Sequence, residues 1–246
     1  MTVIKLVIAY DGSDFHGWAR QRGIRTVQGA IEDVLVRILG HVPPISVAGR
    51  TDAGVHAHGQ VASFPADLDA TKVQRAVNAA LAPEIVVLSA APAPKGFDAR
   101  RSATGREYRY RIHTGPVPDP FTARYVWHRP GRLAAAKMRM AARHLEGEHD
   151  FASFCRAPEP AAGTVRTLRR LTVSSAGDSL EVRAIADSFL HQMVRSLVGT
   201  LVRVGEGRIL PGAIPEILAA RSRAPAGPVA PPHGLALVRV SYGRRR

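Results

Sequence analysis

The sequence predicts an α+β fold built from two halves of related design. Residues 3–10 are rich in β-branched side chains, which is typical of a strand. Apolar residues after Thr26 recur with a period near 3.6, which predicts an amphipathic helix. Together with the later segments these elements give the order β-α-β-β-α-β, and a similar order recurs further along the chain. We therefore expect one half at residues 1–104 and a second at 105–246.

The first half has clear helix and strand boundaries. Thr26 is a suitable N-cap for the first helix, and Gly40 stands where that helix would end. Pro43 and Pro44 favour an extended entry into the next strand. The elements predicted for this half are strands at 3–10, 45–48, 60–64 and 85–88, with helices at 27–39 and 69–80.

The second half repeats the pattern with longer connections. Residues 106–112 alternate as a strand does, and a hairpin is predicted around Gly177. The helix predicted at 191–204 places Val194, Leu197 and Leu201 on one face. The remaining predictions are strands at 168–174, 180–186 and 235–240, helices at 133–145 and 214–220, and loops at 156–164 and 224–233.

The composition indicates a polyanion as partner. The chain has 246 residues, and 34 Lys and Arg against 20 Asp and Glu give a net charge of +14. Such an excess attracts nucleic acid first and anionic membrane second. Arginine outnumbers lysine, which a GC-rich coding bias would also produce, but that bias does not explain the excess of basic over acidic residues.

Cysteine usage and hydropathy favour a cytoplasmic protein. Cys155 is the only cysteine, which excludes an internal disulfide and fits a reducing compartment, and we interpret it as buried apolar filling. The first residues lack the pattern of a signal peptide, and no apolar run is long enough to cross a bilayer. We expect no membrane association.

The most informative segment is 49–57, Gly-Arg-Thr-Asp-Ala-Gly-Val-His-Ala. Its glycines permit a sharp bend and a close approach by a ligand. Asp52 lies two residues from Arg50 in otherwise apolar surroundings, which suits a positioned and activated carboxylate. A surface turn with a weak, exposed ion pair would produce the same pattern. His56 and His58 beside Asp52 also allow a metal site, although no further cluster of ligands supports one.

Residues 49–57 resemble the catalytic motif of the tRNA pseudouridine synthase A (TruA) family. The resemblance covers nearly the whole chain, because several long motifs follow in the family's order. Small departures occur at Ala19, where a glutamine is common, and at residues 190–192. The further motifs lie at residues 9–18, 97–110, 150–154, 189–199 and 231–235.

The resemblance implies both an architecture and an activity. The fold would consist of two ferredoxin-like halves that share one extended, largely antiparallel sheet, with helices on one face and Asp52 in a central catalytic cleft. The activity would be isomerisation of uridine to pseudouridine at positions 38, 39 and 40 of the tRNA anticodon stem-loop. It would need no metal or other cofactor, and the enzyme would be a homodimer.

Five residues receive roles from the resemblance. Asp52 would be the nucleophile, with Arg50 orienting it and keeping it ionised by charge pairing, or filling the gap left by the departing base. Tyr108 would lie against the target base, Arg195 would be a second cation near the carboxylate, and Leu235 would line the pocket. The alternatives are a cross-strand aromatic for Tyr108, a solvated arginine and an ordinary core leucine.

Further arginines would contact RNA phosphates. Arg100 and Arg106, which precede Tyr108 in the sequence, are the substrate-binding candidates among them. Two rival functions remain at this point: a passive RNA-binding protein on the same sheet, and a metal-dependent nuclease that uses Asp52, His56 and His58. The other arginines of the predicted groove are Arg20, Arg22, Arg25, Arg101, Arg109, Arg111, Arg166, Arg169 and Arg170.

Overall fold

The computed structural model describes residues 2–156 and 163–243. These residues form two compact units. The described residues up to Thr104, together with those from Ala236 onward, make the first, and those of Gly105–Leu235 make the second. The α+β class is confirmed. The second half was predicted to run to residue 246, whereas the closing strand belongs to the first unit because it pairs there.

Strands and helices alternate along the described chain. The strands are β1 (Thr2–Tyr10), β2 (Ser46–Val47), β3 (His56–Ala66), β4 (Ile85–Pro92), β5 (Ala103–His113), β6 (Trp127–His128), β7 (Gly147–Asp150), β8 (Val165–Ala176), β9 (Ser179–Ala186) and β10 (Leu235–Tyr242). The helices are α1 (Val27–Leu39), α2 (Ala70–Leu81), α3 (Ala135–Arg143), α4 (Met193–Gly205) and α5 (Ile214–Ala219). None of these helices has the length and apolar character needed to cross a bilayer.

The first unit has the strand order of a ferredoxin-like sheet. β1 pairs antiparallel with β4 on one side and with β3 on the other. On its other edge, β3 pairs antiparallel with β2 near Ser63 and in parallel with β10 at His56. The predicted β-α-β-β-α-β order is confirmed for this unit.

Local sequence explains the boundaries of α1. The hydroxyl of Thr26 accepts a hydrogen bond from the Gly29 N–H at 3.2 Å, and Gly40 ends the helix in the left-handed conformation. In β1 the side chains of Ile4, Leu6 and Ile8 are fully buried, while the intervening residues are half-buried. The strand predicted at residues 3–10 is therefore confirmed, and its burial alternates as in a strand.

β3 is longer than the sequence indicates. The prediction covered 60–64, but the strand runs from His56 to Ala66. Nearly all of its residues are buried, on both faces of the strand, and the polar His56 and Gln60 are among them. Alternation therefore could not reveal the first part of the strand.

Within the second unit, antiparallel strands follow one another in the order β5-β9-β8-β7, with β6 in parallel beside β5. Arg106, Tyr108, Tyr110 and Ile112 alternate along β5 as its buried residues. The sequence did not predict β6 and β7, because strands of two and four residues are too short to show a period. Cys155 is buried, as predicted, and the predicted loop at 156–164 lies mostly outside the described residues.

Helix α4 is the core helix of this unit, and it packs closely against the segment 227–230. A Cβ added at Gly199 would overlap the carbonyl oxygen of Pro228. The Thr200 hydroxyl accepts a hydrogen bond from the Gly227 N–H at 2.9 Å, and the Ala230 N–H donates to the Arg195 carbonyl at 3.1 Å. The glycine at 199 therefore permits a backbone contact that fixes the approach to β10.

We predict that Gly199→Ala lowers the melting temperature. Alanine is the better helix former by about 1 kcal/mol, but the steric overlap with Pro228 should cost about 1–3 kcal/mol. Gly212→Ala is the control, since an added Cβ there meets nothing within 4 Å. Thermal unfolding of both variants beside wild type measures the effect, and an unchanged or raised melting temperature for Gly199→Ala would contradict the packing described.

Candidate active site

The segment that carries Asp52 has no regular secondary structure. It joins β2 to β3, and residues 49–55 lie in neither strand. Thr51 and Val55 are buried, Asp52 is half-buried and Arg50 is exposed. A segment without a hydrogen-bond ladder depends on specific bonds to its surroundings for a fixed conformation.

Backbone hydrogen bonds from the segment that follows β1 fix the conformation on both sides of Asp52. The Trp18 N–H donates to the Thr51 carbonyl at 3.0 Å, and the Gly54 N–H donates to the Phe15 carbonyl at 3.2 Å. Within the turn, the Val55 N–H donates to the Asp52 carbonyl at 3.2 Å. The backbone at Asp52 is therefore held by residues 15–18.

Buried side chains add a second set of hydrogen bonds. The Tyr10 hydroxyl lies 2.8 Å from the Thr51 hydroxyl, directly before Asp52 in the chain. The Gln60 amide donates to the Gly49 carbonyl at 2.7 Å and to the Tyr10 hydroxyl at 3.4 Å. Burial raises the pKa of Tyr10 to about 12, so its phenol stays protonated at neutral pH.

Gly12 allows the two segments to touch. A Cβ at this position would overlap the carbonyl oxygen of Val55, so only glycine fits without displacement. Its N–H points at His56 Nδ1 at a distance of 3.0 Å. His56 is buried whereas His58 is exposed, and the described residues include no group of three or more His, Cys, Asp or Glu that could hold a metal.

Arg50 is exposed, whereas Asp52, two residues later, is half-buried. The charge pairing predicted between Arg50 and Asp52 stays a prediction. An exposed guanidinium of this kind suits contact with a phosphate or with substrate.

Tyr108 lies in the second unit, on β5. It is 7% exposed, and its ring meets the Phe189 ring edge-on, with centroids 5.2 Å apart and an interplanar angle of 89°. Arg106 is only 8% exposed and donates to the Asp187 carbonyl at 2.7 Å. Arg106 therefore braces the turn that carries Phe189, and its predicted contact with RNA stays a prediction.

Arg195 and the segment 230–235 come together in the same unit. Arg195 is in the first turn of α4, as predicted, and its Nε donates to the Ala230 carbonyl at 2.7 Å. The buried Tyr110 donates its hydroxyl to the Pro231 carbonyl at 2.8 Å, and burial raises the pKa of Tyr110. Leu235 is buried at the end of this segment.

The predicted RNA-contacting arginines differ in their surroundings. Arg20 pairs with Glu32 and Asp33, and Arg25 pairs with Glu84. Arg100 is exposed on a turn, where the Asp98 carboxylate accepts its backbone N–H at 2.9 Å. Three further predicted arginines are exposed and form no ion pair with a carboxylate of the described residues, namely Arg22, Arg101 and Arg170.

The role of the buried polar residues that hold the Asp52 segment was not predicted from the sequence. Tyr10 was assigned to a strand and to the motif at 9–18, Gln60 only to a strand, and Thr51 only to the motif at 49–57. A signal was present, because Gln60 is a polar residue within an apolar run and a buried amide needs partners. Sequence alone could not identify those partners, which lie 11 and 50 residues away.

The chain was compared with known proteins. The family model described as tRNA pseudouridine synthase matches residues 6–100 and 141–243. A protein of Moorella thermoacetica named tRNA pseudouridine synthase A is 45% identical over 247 residues, covering 98% of this chain and 100% of that protein. A protein of the same name from Mesorhizobium japonicum is 47% identical over 251 residues, with the same coverage.

These matches include the segment that holds Asp52, the turn at Arg100, helix α4 and the segment that ends at Leu235. Matches of this identity extend over nearly the full length of both chains, as the motif order in the sequence predicted. The chain belongs to the tRNA pseudouridine synthase family.

Proposed function

We propose that the protein isomerises uridine to pseudouridine in tRNA, at positions 38, 39 and 40 of the anticodon stem-loop. The observation that carries the proposal is the half-buried Asp52 on an irregular segment fixed from both sides by hydrogen bonds. The sequence around Asp52 matches the family, and the match extends over nearly the full chain. The net charge of +14 supports a nucleic acid substrate.

The reaction moves one bond and conserves every atom of the nucleoside except for an exchanged proton. The N1 glycosidic bond breaks, the uracil turns, and C5 of the base bonds to C1′ of the ribose. A nucleophile attacks either C1′ or C6, and its bond to the nucleoside breaks again in the course of the reaction. A base removes the proton from C5 after the new bond has formed, and N1 takes up a proton. The Asp52 carboxylate serves as this nucleophile, and since no oxidation state changes, the chemistry requires no redox cofactor.

The residues of the second unit receive the flipped nucleotide. A stacked uridine has to leave the helix before a carboxylate can reach it. The Tyr108 ring, set against Phe189, stacks on the uracil, and its hydroxyl takes part in proton transfer directly or through a water. Leu235 provides an apolar wall for the base, and the Arg195 guanidinium supplies a second positive charge for the reaction.

RNA binding outside the pocket depends on exposed arginines. Arg50 and Arg100 carry exposed side chains next to the matched motifs, and both suit bidentate contact with phosphate. We further propose that the enzyme is a cytoplasmic homodimer in which the partner subunit helps to hold the tRNA. Metal-dependent hydrolysis and passive RNA binding are the alternatives that the first experiment below separates.

We expect Asp52→Asn to abolish turnover and to retain the fold and tRNA binding. The substitution removes the nucleophilic charge but keeps the side chain's shape. Tritium release from tRNA that contains [5-³H]uridine, measured in EDTA, reports the reaction. Asp67→Asn, at an exposed position, is the control and should release tritium as wild type does. Substantial release by Asp52→Asn would refute the nucleophile, and loss of wild-type release in EDTA would favour a metal-dependent enzyme.

Tyr108→Phe should slow the chemical step by about 100-fold if the hydroxyl takes part in proton transfer. Single-turnover tritium release isolates this step from binding. The substitution keeps the ring and its edge-on contact with Phe189, so tRNA affinity should be unchanged. Tyr125→Phe, at an exposed tyrosine of the same unit, is the control. A normal single-turnover rate would show that the hydroxyl takes no part in proton transfer and that Tyr108 only stacks on the base or packs in the core.

Affinity for tRNA should fall steeply with salt. If four phosphates are neutralised, raising NaCl from about 50 to about 200 mM should weaken binding about 100-fold. Arg100→Ala should reduce the slope of log K against log salt by about one. Arg75→Ala removes an exposed arginine of α2 and should leave the slope unchanged. Equal slopes for all three proteins would show that Arg100 does not contact phosphate.

A further inference from the structure

Two buried side chains form hydrogen bonds with the segment that carries Asp52. The sequence motifs assign neither side chain a role in the reaction. Tyr10 is the last residue of β1, and Gln60 lies within β3. Gln60 is 0% exposed and Tyr10 is 4% exposed, so neither can reach a bound RNA. Any contribution of these two side chains to turnover must therefore act through the segment that carries Asp52.

The hydrogen bonds of these side chains reach both neighbours of Arg50. Gln60 Nε2 donates to the Gly49 carbonyl, and the Tyr10 hydroxyl contacts the Thr51 hydroxyl. The other end of the Gln60 amide is occupied as well, since Oε1 accepts the Val61 N–H at 3.1 Å. The amide is therefore fixed in orientation at both ends, and it connects β3 to the start of the catalytic segment.

Gln60 and Thr51 both form hydrogen bonds with the Tyr10 hydroxyl. Gln60 Nε2 donates to the Tyr10 oxygen, and either hydroxyl can be the donor in the bond between Tyr10 and Thr51. Burial keeps the Tyr10 phenol protonated, which preserves this arrangement across the neutral pH range. Thr51 also accepts the Trp18 N–H at its carbonyl. Its side chain and its backbone are thus both fixed, one bond before Asp52.

We infer that Tyr10 is a positioning residue for Asp52, acting through the Thr51 hydroxyl while Gln60 orients the Tyr10 hydroxyl. This inference rests on the proposed function. A carboxylate nucleophile must be held within a fraction of an ångström of its productive place, and a shift of about 1 Å can cost about 100-fold in rate. Buried hydrogen bonds can supply that precision where no strand ladder does.

Tyr10→Phe tests the inference. We expect kcat for tRNA to fall about 10- to 100-fold with Kd for tRNA unchanged, because the hydroxyl is buried away from the RNA. The melting temperature should fall slightly, since Thr51 keeps a buried hydroxyl without its partner. Asn78→Ala is the control for lost stability: its amide bonds the Val87 backbone at 2.7 and 3.1 Å, away from residues 49–55, and kcat should stay normal.

The double variant Tyr10→Phe with Thr51→Val separates positioning from stability. Removing both hydroxyls leaves neither hydroxyl unpaired, and only the 3.4 Å bond from Gln60 to Tyr10 stays lost, so the melting temperature should recover part of the way towards wild type. If Tyr10 positions Asp52, kcat should stay low despite that recovery. This comparison also applies if Tyr10→Phe alone folds poorly.

Two results would overturn the inference: a Tyr10→Phe kcat within about two-fold of wild type, or a kcat that recovers together with the melting temperature in the double variant. Both results require an active wild-type enzyme. An inactive wild type would instead overturn the proposed function, so the two failures are distinguishable.

Discussion

The hydrogen bonds between residues 10–18 and residues 49–56 are the constraint on which the first unit's site depends. The Asp52 segment lies between two strands and has no ladder of its own. The Trp18 N–H, the Phe15 carbonyl and the Tyr10 hydroxyl hold it at three separate points. Since β1 is the central strand between β3 and β4, the segment is anchored to the best-paired part of this sheet.

Close packing and buried polarity work together in this arrangement. Gly12 lets the loop after β1 approach Val55, and without that approach the backbone bonds could not form. The polar groups enclosed by the contact must then be paired, and the Tyr10, Thr51 and Gln60 side chains pair with one another and with the Gly49 carbonyl. These contacts hold the backbone at the half-buried Asp52 in one conformation. Such rigidity suits a nucleophile that has to react with its substrate without prior rearrangement.

Much of the fold could be predicted from hydrophobic periodicity and from the residues that end helices and strands. The α1 boundaries at Thr26 and Gly40 and the alternation of β1 are local properties, so the sequence contains them. The first part of β3, with His56 and Gln60, was not predictable because burial on both faces removes alternation. The closing strand was assigned to the second half because only pairing with β3 shows where it belongs.

The sequence contains the candidate site residues but not the contacts around them. The motif containing Asp52 and the position of Arg195 in the first turn of α4 could be identified directly. That Arg106 is buried against the Asp187 carbonyl, and that Arg50 is exposed while Asp52 is half-buried, depends on backbone geometry that no spacing reveals. The supporting bonds of Tyr10 and Gln60 span tens of residues and are tertiary in origin.

The most direct test of the account is to map pseudouridine in an unmodified tRNA transcript after incubation with the purified wild-type protein in EDTA. Mass spectrometry of nuclease fragments, after labelling specific for pseudouridine, locates each converted uridine. The account predicts pseudouridine at one or more of positions 38, 39 and 40, with the RNA chain intact. A transcript that binds tightly but contains no pseudouridine, or one that is cleaved, would contradict it.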